Sequence, residues 1–377
     1  MKMVKLESIS EIQTGGTPST SINAYWENGN IPWLQSGCCQ NCYVSSSNSY
    51  ITKLGYDNSS AKMMKKDTIL IALTGATAGK VGHLTFEACG NQSITGITLK
   101  SSYNPRYIFH YLISRRPKIL HDCIGGAQPH ISQGYVKNIK VPLISREEQD
   151  LIAEKIDKIV SILESNKNLM FYYDELVKSR FIELFGDPIE NSKNLKTIPL
   201  KELGILERGR SQHRPRNDAS LLNGPYPLIQ TGDVKNADTY ITKYASTYSE
   251  KGLKQSKMWK KGTLCITIAA NIAETAILGF DACFPDSVVG FRPNDNVTTI
   301  FIHNWFKFLQ PILEEKAPSV AQKNLNLEIL GNVEVIVPKI DLQTDFENSV
   351  KQIDKLKFSR LVENSMKMKQ KAGGICA

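Results

Sequence analysis

The chain has 377 residues, 41% hydrophobic and 22% charged, a soluble globular composition with length for two or three domains of about 150 residues each. No apolar run reaches the roughly 20 residues of a bilayer span, and the N-terminus lacks the apolar core of a secretory signal. The expectation is a cytoplasmic protein with no membrane partner and with its eight cysteines as free thiols. A formal charge of +9 favours a polyanionic partner, of which nucleic acid is the commonest.

In the first part of the chain, apolar runs at 68–73, 94–99 and 138–143 are bounded by Gly, Ser, Asn or Pro and read as strands and turns. Cys38, Cys39 and Cys42 are spaced like half a zinc site, but no second Cys or His pair follows at ligand spacing, so no metal is expected. Gly75-Ala76-Thr77-Ala78-Gly79-Lys80-Val81 resembles a phosphate loop. It is one residue short between the glycines and carries Val81 where a Mg²⁺-binding hydroxyl is required. The reading retained is a tight turn that places Lys80 near a nucleic-acid backbone.

Asn104-Pro105, an N-cap followed by proline at the first helical position, predicts a helix through Ile108, Tyr111 and Leu112 to Arg116. Asn104-Pro105-Arg106-Tyr107 misses the Asn-Pro-Pro-Tyr/Phe motif of adenine methyltransferases at Arg106, and a helix start accounts for these residues. Gly125-Gly126-Ala127-Gln128-Pro129-His130-Ile131-Ser132-Gln133 joins glycine freedom to amide and imidazole groups suited to base edges. Gln128, His130 and Gln133 are therefore candidate base readers, and Arg115, Arg116 and Lys118 candidate phosphate contacts.

After Val141-Pro142 comes a heptad stripe. Ile152, Ile156, Ile159, Leu163, Met170, Val177 and Leu184 alternate by fours and threes, with Asn166, Tyr173 and Arg180 at the intervening seam positions. One long helix with a narrow seam against another helix is predicted, and Asn166 suits a register-fixing polar position. Gly186-Asp187-Pro188 ends it, because glycine tolerates left-handed geometry and proline cannot continue a helix.

The second half repeats the first. Ile31-Pro32-Trp33-Leu34-Gln35-Ser36-Gly37 returns as Tyr226-Pro227-Leu228-Ile229-Gln230-Thr231-Gly232, and Tyr50-Ile51-Thr52-Lys53 as Tyr240-Ile241-Thr242-Lys243. Phe86-Glu87-Ala88-Cys89 likewise matches Phe280-Asp281-Ala282-Cys283, all at an offset of about 195. The counterpart helix is expected from near Thr299 to before Pro311, and the counterpart long helix follows Val337-Pro338 with Phe346, Val350 and Ile353 at seam spacing. That stripe weakens beyond Leu356. Arg208-Gly209-Arg210-Ser211-Gln212-His213-Arg214-Pro215-Arg216 gathers four arginines in a flexible loop able to clamp phosphate or read guanine. Arg210, His213 and Arg214 are candidate base readers there, Arg208 and Arg216 phosphate contacts. Gln322 and Lys323 parallel the first-half readers.

The fold class expected is α+β: two similar mixed α/β domains at 1–145 and 189–339, separated by long helices at 146–188 and 340–372, with a frayed tail at 373–377. Antiparallel pairing of the helices would turn the internal repeat into a pseudo-twofold coiled coil. A helix of roughly 40 residues at about 1.5 Å each would be about 60 Å long.

The order of domain, helix entered through Val141-Pro142-Leu143-Ile144 and Glu147-Glu148-Gln149, Leu176-Val177-Lys178-Ser179-Arg180-Phe181 closing on Leu184-Phe185-Gly186-Asp187-Pro188, and second domain resembles the DNA-specificity subunit of a type I restriction-modification system. The strand before Thr74-Gly75-Ala76-Thr77-Ala78-Gly79-Lys80-Val81, with Asn91-Gln92-Ser93 after it, resembles that family's target-recognition domain. The resemblance implies a non-catalytic reader of a split, asymmetric site in double-stranded DNA, one half per domain, with type I methyltransferase subunits docked on the helices and restriction/translocase subunits joining that core. S-adenosylmethionine, Mg²⁺ and ATP would belong to those partners and not to this chain. The second copy departs at Ile268-Ala269-Ala270-Asn271-Ile272-Ala273-Glu274, which lacks the glycines and the lysine. The residues by themselves leave two other classes: a coiled-coil scaffold that binds protein, disfavoured by the positive charge, and a P-loop hydrolase or self-contained methyltransferase, disfavoured by the broken motifs.

Overall fold

The computed structural model describes residues 2–123, 129–269, 272–316 and 325–372. By its contacts the chain divides into two compact units, 1–165 with 365–377 and 166–364. Among the described residues no helix is long and apolar enough to cross a membrane.

The first unit is built on a five-stranded sheet in the order Ser10–Thr14, Ile94–Leu99, Ile69–Ala72, Val81–Leu84, Cys42–Val44, antiparallel except for the last pair. The strand Ile69–Ala72 is buried at every position, so it reads as a continuous apolar run and not as an alternation. A four-stranded sheet places Ile31–Leu34 parallel to Ala88–Gly90, flanked by Ser49–Ile51 and Met63–Met64. Met3–Lys5 pairs with Lys140–Pro142. The helix Pro105–His121 covers the larger sheet with Ile108, Phe109, Leu112 and Ile119.

The second unit repeats this plan strand for strand. Its five-stranded sheet runs Gly204–Arg208, Val288–Pro293, Leu264–Thr267, Thr275–Leu278, Tyr240–Ile241, again with the last pair parallel. Leu222–Leu228 lies parallel to Ala282–Cys283 between Ser246–Tyr248 and Met258–Trp259, and Thr197–Pro199 pairs with Glu334–Ile336. The helix Thr299–Lys316 covers the larger sheet. The α+β class and the internal repeat are thus properties of the backbone as well as of the sequence.

The helix Arg146–Phe185 has 40 residues. It starts in a capping box: Glu148 N–H donates to Ser145 Oγ at 3.2 Å and Ser145 N–H to Glu148 Oε2 at 2.9 Å. It stops at Gly186, whose φ of 79° is the left-handed geometry glycine permits. Lys193 Nζ then donates to the carbonyls of Glu183 at 2.6 Å and Leu184 at 3.0 Å, satisfying acceptors the helix end leaves open.

Within the second unit, residues 166–185 of this helix run antiparallel to the start of the 33-residue helix Ile340–Ala372. Phe181 and Phe185 pack edge-on against Phe346 with ring centroids 5.4 and 5.6 Å apart. Further along, Asp174 Oδ1 accepts from Lys357 Nζ at 2.7 Å, and Asn166 Oδ1 accepts from Asn364 Nδ2. The polar seam residue Asn166 therefore faces a second asparagine. Val177, Phe346, Val350 and Ile353 are buried, while Ile152, Ile156, Ile159, Met170 and Leu184 are half-buried.

Four expectations need correction. The match of Tyr50-Ile51-Thr52-Lys53 with Tyr240-Ile241-Thr242-Lys243 does not hold in the fold: Tyr240–Ile241 edges the five-stranded sheet in the place of Cys42–Val44, and the counterpart of Ser49–Ile51 is Ser246–Tyr248, a Tyr-Ile step being suited to any edge strand. Leu163 is 49% exposed, and Ile162 is the more buried neighbour, because an α-helix drifts by about 20° per heptad against a strict 3.5 repeat and the stripe rolls off the contact. The helices expected to end at Arg116 and before Pro311 run through Pro117 and Pro311 to His121 and Lys316. Each proline removes one backbone donor, and the turn beyond it is held by packing, by Ile119 in one helix and Leu313 in the other. The run at 138–143 is split: Ser132 caps a short helix Gln133–Asn138 through Tyr135 N–H, and only Lys140–Pro142 is strand.

Candidate nucleic-acid interface

In the first unit three loops meet at the end of the strand Ile69–Ala72. Leu73 N–H donates to Ser93 O at 2.8 Å, Ile131 N–H donates to Leu73 O at 2.9 Å, and Gly75 N–H donates to Pro129 O at 3.0 Å. Thr74 and His130 form a backbone bridge, so the exposed His130 ring stands beside the glycine turn. Gly75 and Gly79 have φ of 70° and 71°. At Gly79 a Cβ would also lie 2.9 Å from Ile119 Cγ2, so both conformation and close approach require glycine there.

Lys80 follows that turn and donates from Nζ to Gln40 Oε1 at 2.5 Å. Arg116 is half-buried with its stem near Gly79, and its Nε has no partner. Gln133 reaches Ile12 O only at 3.5 Å. Arg115 and Lys118 are not part of this group. They line a separate hollow with Tyr111, Asp122 and Tyr135, where Lys118 pairs with Asp122 at 3.4 Å. Burial, and then the hydrogen bond to Asp122, push the Tyr135 phenol up to about 12. Gln128 lies outside the described residues.

The second unit repeats the junction. Ile268 N–H donates to Ser287 O and Leu325 N–H to Ile268 O, each at 3.0 Å. Ala273 takes the left-handed place of Gly79 with a φ of 58°. Ala72 N–H bonds Lys80 O in one unit and Thr267 N–H bonds Glu274 O in the other, so Glu274 stands where Lys80 stands. The departure noticed in the sequence is thus a reversal of charge on a retained backbone turn. Gln322 and Lys323 lie outside the described residues.

The arginine loop is more ordered than its composition suggests. Gln212 and His213 donate their N–H groups to Gln255 Oε1 at 2.7 and 3.0 Å, and Ser256 Oγ donates to Arg210 O at 2.9 Å. His213 pairs with Asp218 at 3.0 Å. The Ser220 backbone N–H, the Ser220 side chain and His213 together hold the Asp218 carboxyl down to about 2. Arg208 Nε donates to Asp286 O at 3.1 Å, while Arg214 and Arg216 reach the Asp286 carboxylate at 3.4 and 2.5 Å. Arg210 is exposed. A cavity of about 390 Å³ opens beside Arg216, lined also by Ser211, Asn217, Gln230, Thr231 and Ser287.

Two buried glutamines outside the sequence-derived candidates hold the scaffold of each unit together. Gln149, 1% exposed, accepts Asn104 N–H at 2.9 Å and donates to Ile144 O at 3.1 Å. Gln343, fully buried, accepts Thr298 N–H at 2.9 Å and donates to Pro338 O and Asn296 O at 2.8 and 3.0 Å. Each ties the N-terminus of the sheet-covering helix to the entry of a long helix. The signal was available: both glutamines follow a Val-Pro step in the repeat. Asp286 was signalled only by its place in the repeat, opposite Gln92.

The chain matches the family described as type I restriction modification DNA specificity domain over residues 1–170 and 192–359. It belongs to that family. The type I restriction enzyme MjaIX specificity subunit of Methanocaldococcus jannaschii is 27% identical over 275 residues, 67% of this chain and 62% of that protein. The EcoR124I/EcoR124II specificity subunit of Escherichia coli is 30% identical over 165 residues, 42% of this chain and 41% of that protein. The matched region therefore spans less than two thirds of these specificity subunits. In fold, the chain resembles the S subunit of a type I system from M. genitalium with a TM-score of 0.59 at 17% identity, covering 98% of this chain and 95% of that one.

Proposed function

We propose that the chain is a non-catalytic DNA-reading subunit that directs a type I methyltransferase to a two-part DNA sequence, each unit reading one half. The observation that carries this is the junction built twice, Leu73–Ser93–Ile131 and Ile268–Ser287–Leu325. It sets His130 and Lys80 beside one copy and the arginine loop beside the other, in a chain of formal charge +9. His130 and Arg210 are the exposed groups best placed to meet base edges, and Lys80 and Arg216 to meet phosphate.

The long helices support the partner half of this reading. Phe171, Tyr172 and Leu176 on one helix and Leu356, Phe358 and Leu361 on the other are at least half exposed, Phe171 and Tyr172 with ring centroids 5.9 Å apart, and exposed large apolar side chains that adjoin one another mark an interaction surface. Methyltransferase subunits are the proposed occupants, with restriction/translocase subunits joining them. S-adenosylmethionine, Mg²⁺ and ATP act in those partners, and the protein works in the cytoplasm.

Binding of a labelled duplex by the chain with its methyltransferase, followed across salt concentration, tests the reading. Affinity should fall steeply as salt rises, because basic contacts release counterions from phosphates. Affinity indifferent to salt and to sequence would leave a protein-binding scaffold as the better description.

A further inference from the structure

The turn 285–287 of the second unit stands where Asn91-Gln92-Ser93 stands in the first. Ser287 O and Ser93 O accept the N–H groups of Ile268 and Leu73, and Gly209 N–H bonds Val288 O as Gly15 N–H bonds Ile94 O. In the first unit the middle residue of the turn, Gln92, accepts from the Thr17 hydroxyl and so holds the loop after the first strand. In the second unit Asp286 does the same work on a charged loop. Its backbone carbonyl accepts from Arg208, and its two carboxylate oxygens accept from Arg216 and Arg214.

A carboxylate is a costly choice for a surface that meets phosphate, because it repels the ligand and cancels one of the loop's positive charges. What it supplies is orientation. Arg214 Nη1 also donates to Ser211 O at 2.6 Å and His213 O at 2.9 Å, so its guanidinium plane is held from both ends. Arg216 contacts Asp286 through one terminal nitrogen, and a guanidinium has five N–H donors in a rigid fork. Its remaining donors are free in direction only as far as the carboxylate allows, and it lines the cavity shared with Gln230 and Asn217. Arg214 and Arg216 keep side-chain exposures of 54% and 47%, so both remain reachable by a ligand.

We propose that Asp286 is a specificity-positioning residue of the second DNA-reading surface: by pairing with Arg214 and Arg216 it fixes the direction of their donors and lowers the loop's indiscriminate attraction for phosphate. This rests on the DNA-reading function proposed above. Asp286→Asn keeps the shape and removes the charge. The released arginines should then bind any backbone more readily and report sequence less well.

The experiment uses the full chain assembled with its methyltransferase. For Asp286→Asn, affinity for a duplex lacking the methylated site should rise several-fold at low salt, with the slope of log affinity against log salt steeper by about 1. Methylation mapping should show one half-sequence relaxed and the other intact, with the thermal midpoint unchanged. Equal weakening on all DNA together with a lowered midpoint would reduce Asp286 to a structural residue and overturn the proposal, as would unchanged binding and mapping. Arg214→Gln, at the candidate base reader of the pair, opens the same contact from the other side. It should relax the same half-sequence with a shallower salt slope, and relaxation of the other half, or of neither, counts against the proposal. If the unsubstituted complex marks no defined sequence, it is the DNA-reading function that fails and not the role of Asp286 within it.

Discussion

Gln343 and Thr298 are joined by a 2.9 Å hydrogen bond in which the fully buried glutamine oxygen accepts the backbone N–H at the start of the helix Thr299–Lys316. The same amide donates to Asn296 O and Pro338 O, so one side chain satisfies three backbone groups from two segments. Gln149 serves Asn104 and Ile144 in the other unit. Gln343→Leu strands those groups away from water and should destabilise the second unit by about 3 kcal/mol, at one to three per unsatisfied buried group. Urea unfolding within about 0.5 kcal/mol of the unsubstituted chain, the scale of a neutral surface change, would contradict this role.

Lys357 links the long helices to the loop at 237–239. Its side chain is 7% exposed and contacts Asp174 at 2.7 Å and Asp238 at 3.1 Å, both more than half exposed. Burial alone would lower its ammonium pKa, but the hydrogen bond to Asp174 and the charges of both aspartates hold it above the ordinary value. The two sides of the pair are therefore unequal. Removing Asp174 and Asp238 together strands a buried charge and should cost about 3–5 kcal/mol, whereas Lys357→Met, which leaves two solvated carboxylates, should be close to neutral. Thermal unfolding of the two variants decides it, and equal losses would refute the asymmetry.

His303 gives the second unit a pH dependence. It is 1% exposed, its Nδ1 meets Thr275 Oγ1 at 3.0 Å, and its Nε2 has no partner. Burial first, then the charges of Lys307 and Lys357, hold its pKa well below the ordinary 6.5. Above 6.5 both folded and unfolded forms are neutral and the full stability is present. As pH falls below 6.5 the unfolded chain takes up a proton that the folded one refuses, so stability declines by up to about 1.4 kcal/mol per pH unit. His303→Gln should flatten the decline between pH 6.5 and 5 whatever its own baseline. An unchanged slope would assign the effect elsewhere, to His83 for example, whose pKa burial also lowers.

What the sequence made legible was periodic or repeated. Val177 on one long helix and Phe346, Val350 and Ile353 on the other are buried where the spacing put apolar residues, whereas Ile152 packs against the core of the first unit, and the paired strands at 31–34 and 88–90 return at 222–228 and 282–283 as the matching segments implied. Leu163 escaped because heptad spacing does not track a straight helix over so many turns. Asp286, Gln255 and Lys357 escaped because their meaning lies in partners 42 to 183 residues away, namely Arg216 at 70, His213 at 42 and Asp174 at 183, which no local pattern encodes. The arginine loop was visible as charge, but not its capture by a carboxylate. Arg115 and Lys118 looked like companions of His130 in sequence and belong to a different hollow.

The helix Arg146–Phe185 offers a test of length. Deleting residues 158–164 removes one heptad, spares Asp157 and Asn166, and shortens the helix by roughly 10 Å, about three base pairs of B-form DNA. The gap in the methylated sequence should shorten while both half-sequences persist. A changed half-sequence would contradict a spacer role for that segment.

Methylation mapping of single substitutions tests the division of labour most directly. The chain, His130→Ala and Arg210→Ala would each be assembled with the methyltransferase, given S-adenosylmethionine and DNA of random sequence, and the marked sites sequenced. The unsubstituted complex should mark one two-part sequence with a fixed gap, His130→Ala should relax one half of it, and Arg210→Ala the other. If either substitution relaxed both halves, or if both relaxed the same half, the two units would not be reading DNA independently.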